Sequence, residues 1–345
     1  MAGIPAGKIP AELLGKLLDR LRRSDPSVAV GPHVGEDAAV IDLGDRFLVA
    51  KTDPITFATD RIGWYLVHVN ANDIACLGAT SRWLLVTCLL PDGRTDPASV
   101  EALFEDIGAA CAQLGITVCG GHTEVTVGLD RPILVGQLLG ETAGHYFVDK
   151  RTMRPGDLLL LTKGIAIEGT SVIARERGHL LRTGLASDLL ERAKRLLTEP
   201  GISVVEEAGI ALRAGAGRVH GMHDPTEGGL AQALWELAAR GAVGMRLEEE
   251  RIPVLPETAA VCERLGLDPM GLLASGALLI AVDPAGACAV EKALSLAGIR
   301  SSRIGEIREA QEGVQRVGPD GVRPLPRFER DELVKVFENK ERLPK

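Results

Sequence analysis

Apolar residues at Ile9, Leu13, Leu14, Leu17, Leu18 and Leu21 recur with helical spacing, which predicts an amphipathic helix over residues 8–23. Strand-like runs follow at residues 37–41 and 47–52, then a buried helix over 62–78 and a strand over 83–90. A helix over 100–114 leads to strands at 116–119 and 133–139, so the first half mixes α and β. Around residues 149–157 the chain becomes polar and turn-rich, which places a domain boundary there and divides 1–150 from 151–345. The second half opens with a strand at 158–162. Helices near 185–197, 203–214 and 229–240, a strand at 277–282, a helix over 285–296 and a strand near 303–307 follow. The charged tail from residue 328 to 345 reads as a peripheral helix with a loose end.

A chain of 345 residues exceeds what one hydrophobic core usually serves, in keeping with two domains. Aromatic residues make up only 3%, so the cores are expected to be aliphatic. The net charge of -8 is unlike the basic balance that nucleic-acid binding needs, so nucleic acid is not an expected partner. The first residues lack a signal-peptide pattern, and no apolar run approaches the roughly 18 to 20 residues that span a bilayer. The cytoplasm is the expected compartment, with no membrane partner. Cys76, Cys88, Cys111, Cys119, Cys262 and Cys288 form no Cys-x-x-Cys pair, and all six are expected to be reduced, buried packing residues.

Four acidic residues in the first half stand where solubility does not require one. Asp37 lies among small residues in Gly35-Glu36-Asp37-Ala38-Ala39, and Asp53 stands before Pro54, which is expected to end the strand there. Asp73 follows Asn72 inside an otherwise apolar helix, and Glu124 follows Gly120-Gly121-His122-Thr123 after a short strand. Carboxylates gathered at strand ends repel one another unless a cation compensates them, and Mg²⁺ takes such all-oxygen ligands. Taken singly, Asp53 is equally well a turn residue and Asp73 a paired core acid.

In the second half, Lys163 and Gly164 close a strand, and Gly169-Thr170 follow five residues later. The spacing suits a loop whose backbone N–H groups face oxyanions, yet Thr170 stands where the P-loop motif has lysine, so a plain strand-to-helix turn explains it as well. In His223-Asp224-Pro225-Thr226-Glu227-Gly228-Gly229-Leu230, Asp224 reads as an N-cap with Pro225 in the first helical position. Capping leaves the glycine pair unexplained, because each glycine in a helix costs about 1 kcal/mol relative to alanine. A phosphate, a metal or a neighbouring backbone approaching Gly228 and Gly229 accounts for the pair. Ser275 and Gly276 precede a fully apolar strand, and His122 and His223 flank the two sharpest motifs.

The ordered set of motifs resembles the AIR synthetase superfamily. Gly35 to Val40, Asp53, Asn72-Asp73-Ile74-Ala75 and Gly120 to Glu124 are similar to its N-terminal Mg-ATP elements. Thr162 to Thr170, Asp224 to Leu230 and Ala274 to Val282 are similar to its C-terminal signatures, most of all to those of the hydrogenase maturation factor HypE. The resemblance implies an α+β fold of two domains. The mixed sheet of residues 1–150 would form a barrel-like unit in a homodimer, and residues 151–345 an α/β sandwich. It implies ATP and Mg²⁺ as cofactors, with Asp37, Asp53, Asp73 and Glu124 on the metal and Asp53, Asp73 and His122 as catalytic groups. Gly35, Asp37, Asn72, Gly120, Gly121, Thr123, Lys163, Gly164, Gly169, Thr170, Asp224, Gly228 and Gly229 would line the nucleotide. The implied activity is transfer of the γ-phosphate to a carbonyl or amide oxygen of a small-molecule or protein-borne amide substrate. HypE-type members carry a carbamoyl group on a C-terminal cysteine, and the last cysteine here is Cys288, so that carrier is not expected. A small-metabolite kinase of the thiamine-monophosphate type and a nucleotide-sensing partner protein without turnover are the alternatives.

Overall fold

The computed structural model describes Ile4, residues 6–21 and residues 25–338. The chain forms two compact units, of which the smaller comprises Ser24–Gly31 and Asp37–Phe147. The larger holds Pro32–Glu36 and everything described from Val148 onward, together with helix α1 (Ala11–Leu21). The periodicity of the first residues is thus expressed as a helix, and the predicted end of that helix at Arg22 and Arg23 lies outside the described residues.

The smaller unit contains β1 (Val28–Val30), β2 (Ala39–Asp42), β3 (Phe47–Ile55), α2 (Ile62–Cys76), β4 (Ala79–Pro91), α3 (Pro97–Leu114), β5 (Thr117–Thr126) and β6 (Ile133–Thr142). Its sheet runs β1-β2-β3-β6-β4-β5, antiparallel except for the parallel β4–β5 pair. Every residue of α2 except Trp64 is buried, as expected of a helix apolar all round that lies on a sheet under a second helix. The approach is close because β6 carries glycine beneath it: a Cβ at Gly136 would come within 2.7 Å of the Asn70 amide nitrogen.

Two expectations for this unit need correction. Asp53-Pro54 does not end β3, which continues to Ile55 and keeps its pairing with β6, Asp53 opposite Gly136 and Pro54 opposite Val135. On the other side β2 leaves β3 at Ala50, so the imino acid occupies a stretch with a free edge, where its missing N–H removes no ladder bond. The Gly120–Glu124 motif does not follow a strand either; it lies within β5.

The larger unit adds β7 (Leu158–Thr162), α4 (Ile167–Glu176), α5 (Gly178–Leu181), α6 (Ser187–Arg195), α7 (Val205–Gly215), β8 (Val219–His223), α8 (Gly229–Gly241) and β9 (Gly244–Glu248). It continues with α9 (Pro256–Leu265), β10 (Leu279–Val282), α10 (Pro284–Leu296), β11 (Ser301–Arg308), β12 (Val314–Gly318), β13 (Gly321–Pro324) and α11 (Glu332–Glu338). The mixed sheet runs β13-β12-β9-β11-β7-β10-β8, with only β12–β9 parallel. Leu159, Leu161, Leu279 and Ala281 of its central strands form one aliphatic core with Leu230, Leu234 and Leu237 of α8. The tail helix is not peripheral: Leu333, Val334 and Val336 are buried, and the predicted loose end from residue 339 lies outside the described residues.

Among the described residues no helix is long and apolar enough to cross a membrane. All six cysteines are free, but Cys119 and Cys288 are exposed rather than packed in a core, since Cys119 lies on exposed β5 and Cys288 on the face of α10 away from its buried residues.

Candidate functional site

In the smaller unit, the side-chain alternation of β3 puts Lys51 and Asp53 on the same face as Val49 and Ile55, the face on which α2 lies. The Lys51 ammonium lies 3.0 Å from Oδ2 of Asp73 on α2 and 3.5 Å from Oδ2 of Asp53. Asp37, at the entrance to β2, is buried and adds its charge to the same lysine. Burial alone would depress the Lys51 ammonium, but Asp73, Asp53 and Asp37 together hold it above the ordinary lysine value. Asn70, one turn before Asp73, donates to the Leu66 carbonyl at 2.8 Å, and Asn72 is fully buried in the same helix.

Two of the four predicted acids, Asp53 and Asp73, therefore meet at Lys51, Asp37 acts on the same lysine through its charge, and the fourth does not join them. Glu124 sits on edge strand β5, where its Oε2 is 3.1 Å from Nε2 of His122 and both side chains are exposed. Gly120, Gly121 and Thr123 share that strand. At Gly121, with φ of 152°, a Cβ would collide with the Val86 carbonyl oxygen of β4, beside an irregularity in strand register. Its glycine is required by strand packing whatever else the strand binds. The group that sequence reasoning missed is Lys51, which looked like one polar residue ending an apolar run. Its signal was the period of two that sets it on the same face as Asp53.

In the larger unit, the loop from Lys163 to Thr170 is committed to packing. The Lys163 ammonium is 2.6 Å from Glu207 and donates to the carbonyls of Ser203 at 2.6 Å and Gly201 at 3.2 Å. Burial pulls this ammonium below the ordinary lysine range in spite of the Glu207 charge. The Glu168 and Gly169 N–H groups donate to the carbonyls of Ser275 and Leu273. A Cβ on Gly169 would lie 2.7 Å from Leu272, and one on Gly164 would lie 3.2 Å from Leu255. Thr170 donates to the Ala166 carbonyl and contacts Thr258 at 3.0 Å. Of the loop's amides, those of Lys163, Ile165, Glu168, Gly169 and Thr170 are bonded to protein carbonyls.

The turn at residues 224–229 also differs from expectation. Asp224, fully buried, is not the N-cap; α8 begins at Gly229 and its cap is Gly228, in the left-handed region. A Cβ on Gly229 would collide with the Met270 carbonyl oxygen, so a neighbouring backbone fills the space that the glycine pair leaves. Immediately before the turn, Nδ1 of His223 is 3.3 Å from Lys150 and its Nε2 is 3.4 Å from Glu236. Lys150 also donates to the Gly35 carbonyl at 3.1 Å, and a Cβ on Gly35 would lie 2.8 Å from the Glu236 carbonyl oxygen. Glu236 further pairs with Lys8 at 3.3 Å. Burial would raise its carboxyl, but His223, Lys8 and Gln232 bring it down to about 2.

Residues 35–142 match the AIR synthase related protein N-terminal domain, and residues 154–318 match the corresponding C-terminal domain. The carbamoyl dehydratase HypE of Rhizobium leguminosarum bv. viciae is 31% identical over 288 residues, which cover 80% of this chain and 77% of that protein. The chain belongs to the AIR synthase related family. The fold agrees with that membership. A crystal structure of a HypE-HypF complex superposes with a TM-score of 0.72 at 21% identity, covering 86% of this chain and 94% of that one. HypE in complex with ATP superposes with a TM-score of 0.69 at 24% identity, covering 95% of this chain and 90% of that one. Within this AIR synthase related fold, the acids around Lys51 lie inside the N-terminal match, and the glycine turn before α8 lies inside the C-terminal one.

Proposed function

We propose that this AIR synthase related enzyme binds Mg-ATP through Asp37, Asp53 and Asp73 and transfers the γ-phosphoryl group to a carbonyl or amide oxygen of a small or protein-borne substrate. The meeting of Asp53 and Asp73 at one ammonium, with the charge of buried Asp37 acting on the same lysine, carries this reading. Carboxylates gathered in one partly buried place repel one another, and a divalent cation relieves that repulsion. The donors fit Mg²⁺, which prefers oxygen ligands and shares them among a few carboxylates, waters and phosphates. Bound there, the ion would neutralise charge on the triphosphate oxygens.

The chain's own groups then position the reactants. Lys51 holds Asp53 and Asp73 at fixed separations, and α2, locked on its sheet through Gly136, fixes Asp73. Phosphorylation of an amide oxygen breaks the bond between the γ-phosphorus and ADP and forms an O–P bond on the amide. Loss of that oxygen as phosphate, with the amide N–H protons going to a base, yields a nitrile. The relative named a carbamoyl dehydratase and the ATP-bound HypE support this reading, and the HypE-HypF complex supports a substrate carried on a protein.

The same proposal includes a homodimer built on β5. All but the last residue of this strand is exposed, it forms one edge of its sheet, and Val118 and Val125 stand on it. A long exposed edge strand is a template for pairing with another chain.

The decisive experiment supplies ATP, Mg²⁺ and an ¹⁸O-labelled primary amide or carbamoyl thioester. The expected result is ADP together with phosphate that carries the label. A stable phosphorylated product would make the enzyme a kinase, and intact ATP with every acceptor would make it a nucleotide sensor.

A further inference from the structure

The start of α2 and the first half of α3 border a cavity of about 390 Å³ that lies wholly within the smaller unit. Its volume falls at the compact end of the roughly 300 to 1,000 Å³ that small-molecule pockets occupy. Ile62, Leu90 and Leu103, each less than a tenth exposed, supply apolar lining together with Pro91 and Pro132. Four charged residues join them: Asp60, Arg61, Arg94 and Asp106. Asp106 is spent within the protein, since its Oδ1 accepts from Nε of Arg61 at 2.5 Å and its Oδ2 from the Trp64 N–H at 2.7 Å. Arg61, the residue before α2, holds a left-handed backbone with φ of 58°, which is uncommon outside glycine. Among the described residues neither of its terminal nitrogens has a hydrogen-bond partner. Arg94 gives one N–H to the Asp130 carbonyl at 2.8 Å and makes no ion pair among the described residues. The Thr95 and Ser99 hydroxyls, also in the lining, donate to the carbonyls of Pro91 and Asp96. The unspent side-chain donors of the cavity are therefore those of two guanidinium groups.

We propose that this cavity is a binding site for a compact organic anion, with its apolar body against Ile62, Leu90 and Leu103 and its carboxylate or phosphate group on Arg94 and the outer nitrogens of Arg61. A guanidinium presents paired N–H groups that match either oxyanion and stays charged across the physiological range. Asp106 already fixes Arg61, so less side-chain freedom is lost when a ligand arrives. A neutral apolar ligand would displace water from two cations without replacing its hydrogen bonds, and a bare inorganic anion would leave the apolar lining wet, so both halves of the ligand are required. Asp60 opposes an anion only weakly, because it is exposed and screened by salt. Twelve residues of α2 separate Arg61 from Asp73, about 18 Å at the helical rise of about 1.5 Å per residue, which sets this site apart from the acids around Lys51. The proposal stands whether or not those acids hold Mg-ATP.

Ligand-observed NMR and calorimetry on the full chain test the site with phenyl phosphate, phenylacetate, benzyl alcohol and inorganic phosphate, in the wild type, R94M and A102W. Ala102 lines the cavity from an exposed position on α3, so a tryptophan there fills the space without entering the core. The expected result is saturable one-to-one binding of both aromatic anions, with benzyl alcohol and inorganic phosphate each weaker by about tenfold or more. R94M is expected to raise the Kd of both aromatic anions by about fivefold or more and to leave that of benzyl alcohol unchanged, while A102W abolishes binding of either anion. The stronger of the two aromatic anions identifies the headgroup as phosphate or carboxylate. Failure of both to bind the wild type at millimolar concentration overturns the proposal, and so does undiminished binding to A102W, which would place them elsewhere. Benzyl alcohol bound as tightly as the anions, or inorganic phosphate as tightly as phenyl phosphate, likewise refutes an organic-anion site. Should either variant lose its native circular dichroism spectrum, amide chemical shifts of the wild type decide: shifts on adding phenyl phosphate are expected at residues 60–64 and 94–103, and shifts confined to other residues overturn the proposal.

Discussion

The ammonium of Lys51 reaches Oδ2 of Asp73 at 3.0 Å, so the acid of α2 is met by a cation from the neighbouring strand. A lysine in this place is both organiser and competitor: it draws Asp53 and Asp73 together, and it occupies charge that a divalent ion would otherwise take up. At separations near 4 Å, two charges in a partly buried site interact by about 4 kcal/mol at an effective dielectric constant of about 20. Even a third of that figure shifts an affinity by a factor of about ten. K51M is therefore expected to bind Mn²⁺ about tenfold more tightly than the wild type without nucleotide, read by calorimetry or electron paramagnetic resonance. Weaker binding would mean that organisation outweighs competition.

Asp53 and Asp73 share a role but not an environment, and the pair separates chemistry from stability. The Asp73 side chain is 4% exposed and that of Asp53 32%. D53N and D73N are both expected to lower ATP turnover at least a hundredfold. D73N also leaves the Lys51 ammonium short of its nearest counter-charge, and breaking a buried pair costs about 3 to 5 kcal/mol, whereas D53N is expected to cost about 1 kcal/mol or less. Urea unfolding of the two variants checks the split. Equal losses of stability would show that the lysine leans on both acids alike.

What the sequence disclosed about this site followed from how local each signal is. Asp37, Asp53 and Asp73 stood out because each interrupts an apolar or small-residue context, and burial of such positions is a local property. The meeting of Asp53 and Asp73 at Lys51 depended on β3 continuing through Pro54, and proline reads locally as a stop. Only the withdrawal of β2 at Ala50, a matter of tertiary pairing, makes it harmless. The glycine motifs are ambiguous for the same reason. Gly121, Gly169 and Gly229 look alike on paper whether they admit a phosphate or a neighbouring strand, and the structure places protein backbone or aliphatic side chains against all three.

Exposed along nearly its whole length, β5 makes the oligomeric state a sharp test of the proposed homodimer. Val118 is 47% exposed and Val125 54% exposed on this edge strand. Natural sheets protect free edges with charge, lysine above all. V118K/V125K is accordingly expected to elute as a monomer with an unchanged circular dichroism spectrum, while the wild type elutes at twice the mass in light scattering. A wild-type monomer at micromolar concentration would refute the dimer.

The Glu236 carboxyl gives the chain a definite acid limb. Its ordinary value near 4.5 falls to about 2 in the folded state, because His223, Lys8 and Gln232 outweigh the effect of burial. A depressed carboxyl binds fewer protons in the native than in the unfolded chain, so its stabilisation is present above the unfolded value and is lost as pH falls from about 4.5 toward 2. A shift of this size corresponds to about 3 kcal/mol at neutral pH. E236Q removes the titrating group while keeping a hydrogen-bond acceptor for Lys8 and Gln232. The wild type should therefore lose stability relative to E236Q between pH 5 and about pH 2.5, at up to about 1.4 kcal/mol per pH unit, as followed by urea unfolding. Parallel curves for the two proteins across that window would mean that Glu236 is not held in its charged form by these partners, and that the contacts among Lys150, His223 and Glu236 are arranged without a net ion pair.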